Sequence, residues 1–350
     1  RAQLRQRQQA ALTAPAPEVH FFETDDGVEL RMVRYNGGRK GPLICAPGFS
    51  NTSQVFAWDG IETNWVEFFA GHGYDLWLLD YRASPDLPAS RTQFTLDQVA
   101  RHDWPSVVAF VQAATGAESV QALGHCLGSA TGFMALLSGR LNTVRQFVAS
   151  QVMPFVEVSQ LAKLKAAIRL DRVFAQLGVQ GVDTDAGRTA VEKMVDQLLR
   201  LSPMPSEWHA LGPVCRRVYA IYGPVMNPEQ INRDTRDAMD WIFGYGNLTA
   251  FAQIRQFIHA GRLVDASGAD VYLPHIARLQ AQVVLLQGAD SQLFLPEGSA
   301  ETQRWIQTHQ GAAACSRVVI PGYAHLDCFI GRTAARGVFP QVVQELDRFN

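Results

Sequence analysis

From residue 18 onward, short apolar runs alternate along the chain with longer stretches that have helical spacing. Short apolar runs that end at glycine, proline or aspartate are typical of strands. The first two runs are separated by Asp-Asp-Gly and therefore predict a hairpin. The predicted strands are EVHFFET, VELRMVRY, GPLICAPG, YDLWLLD, SVQALGH, VRQFVASQV, AQVVLLQGAD and CSRVVIPG.

Helices are predicted between these strands. One runs from Pro105 to about Ala114, where proline suits the first helical turn. Others cover the segment ETNWVEFFAGHG and residues 127–138. Strands that alternate with helices at this spacing indicate a mostly parallel central sheet with helices on both faces. The pattern therefore predicts an α/β fold.

Residues 156–275 interrupt the alternation, because their pattern is mostly helical and is broken by SPMPSEW and YGPVMNPEQ. The strand pattern resumes near residue 281. We therefore expect one core, built from residues 18–155 and 276–350, with a helical cap inserted between its two parts. A separate domain is the alternative. Residues 1–17 are rich in glutamine and arginine and end in an Ala-Pro alternation, which predicts a leader or linker.

Composition narrows the function classes. Hydrophobic residues make up 47% of the 350 residues and charged residues 18%, an ordinary globular balance. The net charge is −2 and no basic stripe is present, so we expect no nucleic-acid partner. No apolar run reaches the roughly 18 residues of a transmembrane segment. The five cysteines lack CxxC spacing, which argues against a metal site or disulfide framework and favours a cytoplasmic location.

Candidate chemistry lies in the segment LGHCLGSATG, residues 123–132. Its GHCLG core follows a predicted strand and opens a predicted helix, the setting of a nucleophile elbow. The nucleophile would be Cys126, and Gly124 and Gly128 supply the small neighbours that a strained turn needs. The positive end of the helix is expected to favour the thiolate. A buried structural cysteine is the alternative.

A base and an acid are predicted late in the chain. His325 lies in GYAHLDCFIG after the last predicted strand, where it would take the thiol proton and later deliver it to the leaving group. Asp290 follows the preceding strand and would hold the imidazole in the required tautomer. A turn-capping role for Asp290 is the alternative. Asp327 is a weaker candidate, because it is very close to His325 in sequence.

An oxyanion hole needs backbone N–H donors directed at the developing negative charge. The N–H of Leu127, directly after the candidate nucleophile, is predicted to be one donor. The second is predicted in the loop APGFSNTS after an early strand, with Phe49 preferred and Ser50 as the alternative. An ordinary surface turn is the competing interpretation of this loop.

Together these residues resemble the α/β-hydrolase fold. Several segments are similar to the hydrolase-like domain found beside or fused to cholesterol-oxidase-type flavoproteins of the glucose–methanol–choline oxidoreductase family. They are YDLWLLDYRAS, ALGHCLGSATGFMALLSG, PVCRRVYAIYGP, GRLVDASGADVYLPHIARL and GYAHLDCFIG. The resemblance covers roughly residues 20–345 and implies lipidic or sterol-like substrates and association with a flavin oxidoreductase. No GxGxxG follows an N-terminal strand, so no FAD or other cofactor is expected on this chain.

The predicted function is hydrolysis of an ester, lactone or thioester of a small hydrophobic acyl substrate. Cys126, His325 and Asp290 would act as a triad through a covalent thioester. Alcohols and amines intercept thioesters, so an acyltransferase or synthase with the same triad is one alternative. A cysteine at this elbow also occurs in dienelactone hydrolases and polyhydroxyalkanoate synthases. The other alternative is a non-catalytic domain that docks on a flavin oxidase.

Overall fold

The structure, a computed structural model, describes residues 12–167, 178–184 and 204–349 and six single residues between them, which are 176, 190, 193, 194, 197 and 201. The first eleven residues of the predicted leader and much of the predicted cap between residues 168 and 203 lie outside the described part. The boundaries of leader, core and cap stay a prediction.

Eight strands form the central sheet. They are β1 (Glu18–Glu23), β2 (Glu29–Asn36), β3 (Pro42–Ala46), β4 (Asp75–Asp80), β5 (Val120–His125), β6 (Val144–Ser150), β9 (Gln282–Gly288) and β10 (Cys315–Ile320). Two short strands, β7 (Gly181–Val182) and β8 (Gly246–Asn247), pair separately. Each of the eight apolar runs in the sequence thus forms one strand of the sheet.

The strand order in the sheet is β1-β2-β4-β3-β5-β6-β9-β10. The hairpin β1–β2 and the pair β2–β4 are antiparallel, and every other pair is parallel. The carboxyl ends of the parallel strands therefore meet along one edge of the sheet. The predicted mostly parallel sheet is confirmed.

Helices lie on both faces. The three predicted helices are Trp65–Gly71, Trp104–Thr115 and Leu127–Leu137, and a short helical turn and a π-helical segment precede the second of them. The other described α-helices of at least four residues are Gln160–Ala167, Ser206–Ala210, Pro213–Tyr222, Arg233–Asp237, Met239–Ile242, Leu248–Ala260, Pro296–Gln310, Asp327–Ile330, Ala334–Gly337 and Phe339–Asp347. None of the described helices is long and apolar enough to cross a membrane.

The strands divide their side chains between two hydrophobic cores, because neighbouring residues of a strand point to opposite faces. On β3, Ile44 packs in the core that also contains the helices Trp104–Thr115 and Leu127–Leu137. Leu43 and Cys45 pack in the other core, with the helices Trp65–Gly71 and Phe339–Asp347. Burial on both faces explains why the strands read as nearly continuous apolar runs.

Between β6 and β9 the described residues are mostly helical. This segment contacts the core next to the carboxyl end of β3. The N–H of Gly244 donates to the carbonyl oxygen of Ser50 at 2.9 Å, and the Asn51 side chain donates to the carbonyl oxygen of Ile242 at 3.0 Å. The segment therefore lies against the loop in which an oxyanion donor is predicted.

Candidate active site

Cys126 lies in a strained turn between β5 and the helix Leu127–Leu137. Its backbone has φ 53° and ψ −111°, and its N–H donates to the carbonyl oxygen of Ser150 at the end of β6, at 2.9 Å. A non-glycine residue in such a conformation costs about 1–3 kcal/mol and persists only where its surroundings fix it. Among the described non-glycine residues, Ser50 and Gln151 also have positive φ, and both lie in loops that follow parallel strands.

The glycines around Cys126 allow the turn to pack against its neighbours. A Cβ on Gly124 would lie 2.5 Å from the carbonyl carbon of Gly128. A Cβ on Gly128 would lie 2.6 Å from the carbonyl oxygen of Ala46, at the end of β3. A Cβ on Gly48 would lie 3.2 Å from the Cβ of Cys126. A side chain at Gly124, Gly128 or Gly48 would therefore crowd these neighbouring atoms. Gly124 and Gly128 are the two glycines predicted from the sequence.

Two backbone N–H groups face the sulfur of Cys126. They belong to Phe49 and Leu127, and both lower the pKa of the thiol by hydrogen bonding to its charged form. The loop that carries Phe49 is contacted by Tyr81. The buried Tyr81 hydroxyl lies 3.1 Å from the carbonyl oxygen of Pro47 and 3.2 Å from that of Gly48. The structure thus brings both preferred oxyanion donors to the candidate nucleophile.

Burial outweighs these two N–H groups and raises the pKa of the Cys126 thiol to about 11. Burial therefore opposes the thiolate that the helix terminus was expected to favour. Burial also lowers the pKa of His325 to about 3. At neutral pH the two side chains are a neutral thiol and a neutral imidazole, not an ion pair.

His325 lies in the loop after β10 and is almost completely buried. Its ring stacks on Phe294 with centroids 5.7 Å apart and contacts the ring of His125 at 4.9 Å. Within the described residues, no hydrogen bond joins the ring to the Cys126 thiol, and Nδ1 has no hydrogen-bond partner. Ring contacts are therefore the interactions that hold this histidine in place.

No hydrogen bond joins the side chains of Asp290 and His325 among the described residues, so the role of Asp290 as the triad acid stays a prediction. Its side chain is exposed, and its N–H donates to the carbonyl oxygen of Tyr323 at 2.9 Å. The strand β9 ends at Gly288, and the turn that follows directs Ser291, not Asp290, into the interior. The sequence could not show which of two adjacent turn residues points inward.

Asp327, the weaker acid candidate, is buried but is occupied by backbone groups. Its carboxylate accepts from the N–H of Ala324 at 2.9 Å and from the N–H of Asn227 at 3.1 Å. Burial raises the pKa of this carboxyl to about 7. Asp327 therefore joins the His325 loop to Asn227 in the helical segment between β6 and β9. Within the described chain, Asp327 forms no hydrogen bond with the imidazole.

An aromatic wall adjoins the Phe49 loop. Phe251 contacts Phe49 edge to face at 4.8 Å and stacks on Tyr222 at 5.8 Å, and Phe243 stacks on the other side of Tyr222 at 5.1 Å. We call Tyr222, Phe243 and Phe251 the aromatic wall. All three belong to the helical segment between β6 and β9, so this segment contributes an apolar surface directly beside the oxyanion donors.

Comparisons with known proteins agree with this architecture. A family model described as alpha/beta hydrolase fold matches residues 41–171. A probable lipase of Schizosaccharomyces pombe is 24% identical over 379 residues, which cover 94% of this chain and 75% of that protein. A carboxyl esterase from Bacillus coagulans superposes with a TM-score of 0.56 at 11% identity, over 95% of this chain and 96% of the esterase. This chain has the α/β-hydrolase fold.

A second relative matches this chain over a shorter length. Gastric triacylglycerol lipase of Bos taurus is 29% identical over 140 residues, and the match spans 34% of this chain and 34% of that lipase. Residues 41–171, which the family model matches, include Cys126 and the Phe49 loop and do not include the aromatic wall.

Sequence reasoning missed several residues of the site. Tyr81 directly follows β4, and a polar residue at the carboxyl end of a parallel strand is a usable signal. Ser291 and Phe294 lie in the loop after β9, where the sequence pattern pointed only to the carboxylate of Asp290. Tyr222 and Phe251 lie on helices with ordinary amphipathic patterns, so nothing in the sequence separates them from core aromatics.

One cluster outside the site has the ligand types of a metal centre. The side chains of Asp25, Asp26 and His102 place one ligand atom each within 4.8 Å of one another. Arg82 occupies both carboxylate oxygens of Asp26 at 2.9 and 3.0 Å, and His102 is bonded to Asp25 at 2.6 Å. The carboxylate oxygens of Asp26 and one of Asp25 are therefore already paired with protein groups, and the cluster shares no residue with the candidate active site.

Proposed function

We propose that this protein is an acyl hydrolase that uses Cys126 to cleave an ester, lactone or thioester of a hydrophobic acyl group. The observation that carries the proposal is the strained Cys126, whose sulfur faces the N–H groups of Phe49 and Leu127. This arrangement exposes a nucleophile and supplies donors for the negative oxygen that forms when it attacks a carbonyl. A structural cysteine needs neither the strain nor the donors.

In the first half of the reaction, Nε2 of His325 accepts the thiol proton as the sulfur bonds to the carbonyl carbon. The carbonyl oxygen becomes an oxyanion that accepts hydrogen bonds from Phe49 and Leu127. The tetrahedral intermediate then breaks its bond to the leaving group, which takes the proton from the imidazolium. The products of this half-reaction are a thioester on Cys126 and a free alcohol or thiol.

In the second half, water attacks the thioester and gives its proton to His325. The second tetrahedral intermediate expels the sulfur, which recovers the proton, and the carboxylic acid is released. A neutral imidazole is the form that accepts the proton in each half-reaction, and the low pKa of His325 keeps the resting side chain in that form. The hydrogen bond between His325 and the thiol is expected to form when substrate binds, as is common for catalytic contacts that are loose in a free site.

A hydrophobic acyl group is proposed because the aromatic wall lies beside Phe49. The names of the relatives agree, since the matched proteins from Schizosaccharomyces pombe and Bos taurus are both called lipases. Lipidic substrates, including the sterol-like ones that the resemblance implied, therefore belong to the substrate class that we propose.

The test is the intact mass of the protein after it is mixed with short aryl esters, acyl thioesters and lactones. We expect a transient acyl adduct that maps to Cys126 and disappears in Cys126→Ala. Cys215→Ala is the matched control, because burial raises the pKa of that thiol to about 11 as well. The Cys215 variant should acylate like the wild type.

The same experiment separates the competing activities. Release of free acid with water as the acceptor supports a hydrolase, whereas an ester product that dominates when alcohol is added indicates a transferase. Absence of any adduct across the panel would reject covalent catalysis and leave the interpretation as a non-catalytic docking domain.

A further inference from the structure

We propose that Gln151 is a positioning residue that joins the Cys126 elbow to the loop of His325 and fixes the spacing of these two side chains. Gln151 directly follows β6, which lies between β5 and β9 in the sheet. Its N–H donates to the carbonyl oxygen of Leu286 on β9 at 3.0 Å. This inference rests on the proposed function, because the two joined residues are the proposed nucleophile and the proposed base.

The first support is the strained backbone of Gln151. Its φ is 74°, in the left-handed region that residues other than glycine seldom adopt. Such a conformation persists only where surrounding contacts fix it, and residues of this kind concentrate at functional sites. Glycine would adopt the same conformation with less strain, so the side-chain contacts of Gln151, not its backbone preference, explain a glutamine at this position.

The second support is that the residues before and after Gln151 are bonded to the elbow and its helix. The carbonyl oxygen of Ser150 accepts from the N–H of Cys126 at 2.9 Å. The carbonyl oxygen of Val152 accepts from the hydroxyl of Ser129, which lies in the helix that begins directly after Cys126. The backbone around Gln151 is therefore held against the turn that presents the sulfur.

The third support is a contact from the Gln151 side chain, which is 1% exposed, to the loop of His325 through Gly288. Oε1 of Gln151 accepts from the N–H of Gly288 at 3.2 Å. Gly288 packs so closely on the next loop that an added Cβ would collide with the carbonyl oxygen of Ala324. That carbonyl belongs to the peptide group that joins Ala324 to His325.

The other end of the same amide reaches this peptide group through Cys328. Nε2 of Gln151 donates to Sγ of Cys328 at 3.4 Å, and the thiol donates to the carbonyl oxygen of Ala324 at 3.7 Å. Burial raises the pKa of the Cys328 thiol well above its usual range, so the thiol keeps the proton that it donates. Because the N–H of Gly288 can only donate, it fixes which end of the amide is the oxygen.

Both ends of the Gln151 amide therefore act on one peptide group. Peptide groups are planar, so contacts that hold the carbonyl of Ala324 also orient the backbone nitrogen of His325. Nδ1 of His325 has no hydrogen-bond partner among the described residues, and the position of the imidazole therefore depends on this backbone and on ring contacts. A displacement of about 1 Å between reacting groups lowers a rate by about 10²-fold, so this connection bears directly on the proton transfer from Cys126.

The test compares Gln151→Met with the matched control Gln146→Met. Gln146 is also a buried glutamine of β6, and its amide is bonded to the Gln121 side chain at 2.7 Å and to the carbonyl oxygen of Glu345 at 2.9 Å. Methionine keeps the side-chain length and removes the hydrogen bonds, so both variants should lose thermal stability.

Gln151→Met alone should lower kcat for an aryl ester, by about tenfold to 10²-fold, with KM within about twofold of the wild type, because a positioning defect acts on the chemical step. Gln146→Met should keep kcat within about twofold. Gln151→Gly has less backbone strain and should lose kcat to a similar extent, which keeps the test decisive if Gln151→Met does not fold. Equal kcat in the Gln151 and Gln146 variants would overturn the proposal.

A second measurement does not depend on turnover. The ring C–H signal of His325 in ¹³C-histidine-labelled protein, assigned by its absence in His325→Ala, should shift or broaden in Gln151→Met and stay unchanged in Gln146→Met. If the wild type forms no acyl adduct at Cys126 but the signal changes in this way, the proposed function fails and the positioning role stands. If Cys126 acylates and Gln151→Met changes neither this signal nor kcat, the positioning role fails alone.

Discussion

The hydroxyl of Tyr81 lies 3.2 Å from the carbonyl oxygen of Gly48, one residue before the N–H that faces the sulfur of Cys126. The same hydroxyl lies 3.1 Å from the carbonyl oxygen of Pro47. Peptide groups are planar, so holding these two carbonyls also fixes the plane of the Phe49 N–H. Tyr81 thereby connects the buried end of β4 to the proposed oxyanion hole.

Tyr81→Phe should therefore reduce kcat about tenfold and lower the free energy of unfolding by about 1–3 kcal/mol, because two buried carbonyls lose their donor. Steady-state kinetics on an aryl ester and urea unfolding measure the two effects. Tyr35→Phe is the control: Tyr35 is buried on β2 and pairs with Leu76 at the start of β4, whereas Tyr81 follows the other end of that strand. Equal kinetic losses in both variants would show that the effect is general destabilisation.

Gly48→Ala tests the close approach between the loop and the elbow. The added Cβ would lie 2.9 Å from Oδ1 of Asn51 and 3.2 Å from the Cβ of Cys126, so the loop must shift. We expect kcat/KM to fall by about 10²–10³, the usual effect of losing one oxyanion donor. In Gly71→Ala the new Cβ meets open space, and this control should behave like the wild type. A fully active Gly48→Ala enzyme would contradict the role of Phe49.

The pH dependence of the reaction should be unusual on its acid side. An ordinary histidine base is lost as pH falls through about 6.5. Burial lowers the pKa of His325 to about 3, so its neutral form persists as pH falls through 6.5 and is lost only near the lower value. A profile of kcat/KM, measured with circular dichroism to verify folding, should show no decline near pH 6.5. An inflection there would mean that the imidazole titrates normally and that solvent reaches it.

Phe251→Ala tests the aromatic wall. Removing this ring opens space beside Phe49 and should raise KM several-fold for esters with long acyl chains, since each buried methylene contributes about 0.8 kcal/mol. Acetyl esters, which do not reach the wall, should show little change. Phe110→Ala is the control, because Phe110 stacks on Phe22 of β1, the strand at one edge of the sheet. A uniform change for all chain lengths would place the acyl group elsewhere.

The sheet could be predicted strand by strand because its parallel strands are buried on both faces and form continuous apolar runs. The elbow could be predicted because its chemistry is local: Gly124, Cys126 and Gly128 follow one another, and the strain arises within that turn. The Phe49 N–H could be predicted for the same reason, because the position of a backbone donor depends on the path of a single loop.

A hydrogen bond between Asp290 and His325 could not be derived from the sequence, because the direction of a side chain in the turn after β9 depends on contacts with the next loop. Asp290 and Ser291 are adjacent, yet Asp290 is exposed and Ser291 is buried. The raised pKa of the Cys126 thiol could not be predicted from the sequence for a related reason. Burial of the sulfur is a property of the assembled site, and it exceeds the local effect of the helix terminus.

Ser50, Cys126 and Gln151 share a left-handed backbone at neighbouring strand ends, and glycine would adopt each of these conformations with less strain. A library selected only for heat resistance should therefore collect glycine at these positions, and each such gain would remove a side chain from the reactive edge of the sheet. Selection for heat resistance is expected to favour glycine at these three positions, whereas selection for activity is expected to retain Ser50, Cys126 and Gln151.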